Sequence, residues 1–127
     1  MDKLGLGRTM EQAVMRRWEW NAFLTWQPPR AKWRKKDDGG QDIFGRFDFI
    51  AVKPWCPVNL VQVKRKRRKE AETAFNDIKA FADYQRAPIA PFVVLWAKER
   101  ATGAISFEAW QYGLTGWFNA GKWSEKP

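Results

Sequence analysis

Residues 92–98 read Phe-Val-Val-Leu-Trp-Ala-Lys, apolar nearly throughout and without alternation. A strand of that kind belongs at the centre of a sheet covered on both faces, because neither of its sides is fit to meet water. The chain must therefore supply a sheet and helices to cover it, and two segments have the period for that. Glu11, Met15, Trp18 and Ala22 recur at intervals of 4, 3 and 4 on a face shared with Val14, which predicts a helix from Met10 to about Leu24. Thr9 and Gln12 stand at the spacing of a capping box at its start, and Pro28-Pro29 stops any continuation. Ala71, Ala74, Phe75, Ile78, Phe81 and Ala82 form the apolar stripe of a second helix, from Glu70 to about Arg86.

Strands fill most of the remainder. Ala31 to Lys36 and about Ile43 to Lys53 predict a hairpin around Asp37-Asp38-Gly39-Gly40, a strong turn signal. In the return strand Phe47, Phe49 and Ala51 share one face, and Asp48, Ile50 and Val52 the other. Val58 to Lys64 predicts a third strand, on which Leu60, Gln62 and Lys64 emerge together. After the central run, Ala104 to Tyr112 alternates as a further strand. Residues 113–127, rich in Gly and carrying Trp117, Phe118 and Trp123, read as an irregular tail packed back by its aromatics or offered to a second subunit. The order helix, three strands, helix, strand, strand makes an α/β sandwich, a mixed sheet flanked by helices. At 127 residues a single domain is expected, with its core at about residues 3–112.

The chain holds 23 Lys and Arg against 14 Asp and Glu, a net charge of +9, which suggests a polyanionic partner. Arg30, Lys32, Arg34, Lys35 and Lys36 make one cluster; Lys64, Arg65, Lys66, Arg67, Arg68 and Lys69 make another. Together they hold 11 of the 23 basic residues and no acid, which leaves 12 basic against 14 acidic residues elsewhere. Six consecutive cations repel one another strongly unless a polyanion lies against them. Trp33, inside the first cluster, is placed to stack on a base or wedge at a branch point.

Other chemistry is closed off. The absence of His excludes His bases, triads and metal ligands, and a lone Cys56 excludes CxxC zinc sites and an internal disulfide. Any metal must sit on oxygen. The longest apolar stretch, Pro91 to Ala97, is far short of the roughly 20 residues that span a bilayer. A soluble, cytoplasmic protein with no membrane partner is expected.

Four polar residues break the apolar patterns. Asp48 interrupts an apolar strand, Gln62 and Lys64 share a face of the strand expected beside it, and Glu11 lies on the core side of the first helix. A buried unpaired carboxylate is costly, so Asp48 asks for a reason. Ordinary roles remain open for the others: Gln62 and Lys64 fit the wet face of an edge strand, and Glu11 suits the first turn of a helix dipole. Asp42 equally fits a turn cap, and the basic clusters fit solvated faces.

Gly7-Arg8 followed by Glu11, the run Asp42-Ile43-Phe44-Gly45-Arg46-Phe47-Asp48-Phe49-Ile50-Ala51, and Gln62-Val63-Lys64 together resemble the PD-(D/E)XK nuclease superfamily. Within it they are most similar to the archaeal-type and phage Holliday junction resolvases. The resemblance covers about residues 3–98 and implies a restriction-endonuclease-like αβββαβ core. It further implies a Mg²⁺-dependent endodeoxyribonuclease, with Mn²⁺ able to substitute, that acts as a homodimer on branched DNA, above all four-way junctions, in recombination and repair. A phage relative would work in its host's cytoplasm.

Residue by residue, the resemblance makes Asp48 the metal-binding aspartate and Lys64 the lysine beside the attacking water. Glu11 corresponds to the helix-borne acid of many resolvases, and the Val63 carbonyl completes the metal shell. Gln62 stands where the family pattern has Glu or Asp; its amide oxygen can still ligate a hard cation but brings no charge. Asp42 is the candidate for a compensating acid. Arg8, Arg46, Trp33 and the two basic clusters are the candidate DNA contacts. Two other readings stay open: a flap or duplex nuclease of the same superfamily, and a nucleic-acid-binding module that kept the fold and lost the metal.

Overall fold

The computed structural model describes residues 3–29, 43–84 and 88–125, the side chains of residues 3–8 excepted. In chain order the elements are α1 (Lys3–Trp20), β1 (Leu24–Trp26), β2 (Phe49–Val52), β3 (Val58–Arg65), α2 (Arg68–Tyr84), β4 (Ile89–Lys98), β5 (Ile105–Gly113) and β6 (Gly116–Glu125). The six strands lie side by side in the order of the sequence. All neighbours are antiparallel except β3 and β4, which are parallel and joined through α2. The protein is thus α/β, a mixed sheet with one helix on each face.

The two faces bury separate clusters. Met10, Ala13, Val14 and Trp18 of α1 pack on Phe49, Ala51, Val61, Val63, Phe92, Val94 and Phe107. Trp18 meets Phe49 and Phe92 edge-on, with ring centroids 5.7 and 5.2 Å away. On the other face Ala74 and Ile78 of α2 pack on Phe47, Leu60, Val93 and Leu95. The central run is β4, buried from Ala90 to Trp96 as its composition requires. At the far end of α2, Asp83 accepts hydrogen bonds from Lys79 (2.8 Å) and from the Tyr112 hydroxyl of β5 (2.7 Å). Those two partners hold its carboxyl below the usual carboxylate range.

Several boundaries differ from the sequence expectation. α1 starts at Lys3, so Thr9 lies inside the helix and caps nothing at its start. It stops at Trp20, where Phe23 N donates to Trp18 O (3.2 Å) and Ala22 N to Glu19 O (3.0 Å), the paired bonds of a Schellman motif. Ala22 holds the left-handed conformation (φ 69°) that such a motif demands. The freed residues Leu24–Trp26 then pair with β2. The expected partner strand, Ala31 to Lys36, lies outside the described residues. β2 itself starts only at Phe49, because Ile43 and Phe47 close a tight turn through reciprocal backbone bonds of 2.8 and 3.0 Å.

The expected irregular tail over 113–127 is corrected as well. Residues 116–125 form the ten-residue strand β6, hydrogen-bonded along β5. Leu114-Thr115 make a two-residue hairpin loop between Gly113 and Gly116, with Gly116 at φ 110°. A bulge between Ala109 and Trp110 is met by Gly121 (φ 154°), whose amide donates to Asn119 Oδ1 (3.0 Å). The aromatics do pack back: Trp117 against Phe75 of α2 (4.8 Å) and Trp123 stacked on Phe107 (5.1 Å) beneath Arg17.

Candidate functional site

Asp48 sits where the chain changes sides. Phe47 is buried in the α2 layer and Phe49 in the α1 layer, so Phe47 does not share a face with Phe49 as strict alternation predicts. The turn at residues 43–47 ends the strand before it reaches that residue. Between the two rings, the Asp48 amide donates to Val61 O (2.8 Å), and its Oδ2 accepts the Val63 amide at 2.7 Å. β2 has ended at this level while β3 runs on to Arg65, so the carboxylate takes the place of the missing strand carbonyl.

Gln62 and Lys64 flank that amide and face the other layer. Leu60, Gln62 and Lys64 point toward α2, whereas Val61 and Val63 are in the α1 cluster. Because α2 connects two parallel strands, it must run back antiparallel to β3. Glu70, near its start, and Asp77, about two turns further on, therefore run back along β3 in the reverse direction of the strand. Between sheet and helix lies a pocket of about 340 Å³ lined by Gln62, Lys64, Lys69, Glu70, Thr73 and Asp77. Gln62 is only 9% exposed, and its Oε1 finds no hydrogen-bond partner among the described residues.

The basic run after β3 is less free than its sequence suggests. Lys66 pairs with Glu108 (3.1 Å), Arg67 with Glu70 (3.7 Å) and Arg68 with Glu72 (3.4 Å), while Arg65 lies over the Trp96 ring at 5.2 Å. Partners within the protein relieve the repulsion that the sequence assigned to a polyanion. Lys64 and Lys69 make no ion pair among the described residues, and both line the pocket with Gln62. Arg46 reaches the same region from the turn before Asp48, with its Nε 3.0 Å from Asp77 Oδ2.

Glu11 is placed differently. It is carried by α1, on the face of the sheet away from Gln62 and Lys64, half-buried, and its Oε1 accepts a hydrogen bond from Gln27 Nε2. The structure therefore brings Asp48, Gln62, Val63 and Lys64 together and puts Glu11 on the opposite layer. The Arg8 side chain, Arg30, Lys32, Trp33, Arg34, Lys35, Lys36 and Asp42 lie outside the described residues. Sequence reading passed over the polar side of α2, although Glu70, Thr73 and Asp77 recur at intervals of 3 and 4 and had a readable period.

Among the described residues no three His, Cys, Asp or Glu side chains form a ready metal cage. The donors present are nonetheless of the right kind for a hard divalent ion: a carboxylate on Asp48 and, one residue from the amide it binds, a buried amide oxygen with no donor among the described residues. Beside them are two lysines suited to a phosphate. No helix of the described residues is long and apolar enough to cross a membrane. No family model, curated protein or solved structure matches the chain.

Proposed function

We propose that this chain is a Mg²⁺-dependent, structure-selective endodeoxyribonuclease of PD-(D/E)XK type that cuts four-way DNA junctions in the manner of the Holliday junction resolvases. The observation that carries the reading is Gln62 Oε1, buried with no donor among the described residues, with Lys64 beside it and Asp48 bonded to the amide between them. A buried acceptor left unpaired costs about 1–3 kcal/mol, a cost that a bound cation removes. The element order helix, three strands, helix, strand supports the same reading, since it is that of the αβββαβ core.

In this reading Asp48, Gln62 and the Val63 carbonyl hold the ion. When bound, a divalent ion polarises the scissile phosphate and lowers the pKa of a water toward neutrality. Lys64 lies next to the position of the phosphate and offsets the charge that builds on it during attack, and Lys69 offers a second cation to the adjoining backbone. With no His in the chain, proton transfer falls to water and the oxygen ligands. Specificity rests on junction shape and phosphate contacts with little base readout. Paired nicks across a junction need two such sites related by a two-fold axis, hence a homodimer.

The test is cleavage of a synthetic four-way junction. Wild type nicks it in Mg²⁺; Asp48→Asn and Lys64→Ala lose about 100-fold or more of the cleavage rate while binding the junction in EDTA nearly as wild type does. Tight binding with no cutting in either Mg²⁺ or Mn²⁺ would favour the second reading, a DNA-binding module without catalysis, which the neutral amide at position 62 supports.

A further inference from the structure

An ion site built on Asp48 and Gln62 is short of negative charge, because affinity for a hard divalent cation depends on the number of carboxylates around it. The pocket that Gln62 lines holds two carboxylates on α2, and they are not equivalent. Glu70, near the start of α2, is drawn toward Arg67, 3.7 Å away. Asp77, about two turns further along α2, lines the pocket with Gln62, and its ion pair with Arg46 at 3.0 Å draws it toward the chain two residues before Asp48. Asp77 and Gln62 thus line one pocket from the helix and the middle of the sheet, and Asp48, just before the start of β2, binds the amide of the residue that follows Gln62. The Gln62 side chain is 91% buried, and its acceptor oxygen has no partner among the described residues, which gives the pocket an independent reason to take up a cation.

We propose that Asp77 is the second acidic ligand of the divalent cation held at Asp48 and Gln62, supplying from α2 the charge that position 62 lacks, and that Arg46 occupies this carboxylate until the cation arrives. The proposal rests on the metal-site reading above and adds the residue that completes it. An arginine and a divalent ion compete for the same oxygens, so Arg46 acts as a counterion that loading must displace. Once displaced, its guanidinium keeps its place over the Phe81 ring, 5.2 Å from the centroid, and its bond to Phe44 O, but no longer engages Asp77.

The experiment is calorimetric titration of the whole chain with Mn²⁺ alone, without DNA. Wild type binds one ion. Asp77→Asn weakens binding about tenfold or more, the scale of losing a residue that matters to a metal site. Arg46→Gln, which removes the competitor, tightens binding about threefold or more by mass action. Gln62→Glu restores charge at position 62, so Asp77→Asn made in that background costs less than about threefold, the sign of two carboxylates serving one purpose. Thermal unfolding of each variant guards against misfolding; if Asp77→Asn fails to fold, Arg46→Gln alone decides, and unchanged or weaker Mn²⁺ binding by it overturns the proposal. Asp77→Asn binding Mn²⁺ as wild type does, while Asp48→Asn has lost it, overturns the assignment of Asp77 and leaves the metal site standing. No Mn²⁺ bound by wild type or by Gln62→Glu overturns both.

Discussion

The Asp48 carboxylate accepts the Val63 amide at 2.7 Å at the level where β2 has ended and β3 continues, so it completes the sheet, and in the proposed site it also offers oxygen to an ion. The two roles separate by substitution. Asp48→Ala leaves the Val63 amide without its acceptor and lowers stability by about 1–3 kcal/mol, whereas Asp48→Asn keeps an amide oxygen there and loses less. Urea unfolding of the two variants measures the difference, and equal losses would mean that the hydrogen bond contributes nothing. Asp48 was legible in the sequence as a charge in an apolar strand. The reversal of Phe47 to the other layer was not, since it depends on a turn at Phe44-Gly45 (φ 55° and 70°) that alternation alone cannot register.

α1 ends on a residue poorly suited to end it. The left-handed conformation of Ala22 brings its Cβ close to the following carbonyl, at about 1–2 kcal/mol for a residue other than Gly. Ala22→Gly removes that strain and raises stability by about 1 kcal/mol, read as a higher urea midpoint at constant slope. A lower midpoint would show that Ala22 is held by contacts of its methyl group. The same residue explains why the end of α1 was misread, because Ala counts as a helix former and gives no stop signal. β3, α2 and β4 were legible to within a few residues, since each carries a long, uniform pattern. β6 was not, because Gly116 and Gly121 look like loop in a sequence and in fact serve a tight hairpin and a bulge. At the candidate site, the polar positions on β3 could be read from alternation, while Asp77 needed the direction of α2 across the sheet to become visible.

Over the whole molecule, charge and packing are arranged by different elements. Among the described residues ion pairs take up Lys66, Arg67 and Arg68, so the uncompensated positive charge of the run narrows to Lys64, Arg65 and Lys69, with Arg65 lying over the Trp96 ring. Packing converges on β4. Phe92, Val94 and Trp96 enter the α1 cluster, while Val93 and Leu95 enter the α2 cluster, so one strand belongs to both layers at once. Val93→Ala and Val94→Ala should each cost about 2 kcal/mol, although the lost methyls face opposite helices. Each variant should still unfold in one transition, with Trp fluorescence and far-ultraviolet dichroism coincident. A transition that splits in either variant would show that the layers come apart separately. With both layers hung on the same central strands, β3 and β4, a protease that waits for the core to open meets either an intact domain or an open chain, and no folded half survives as a resistant fragment.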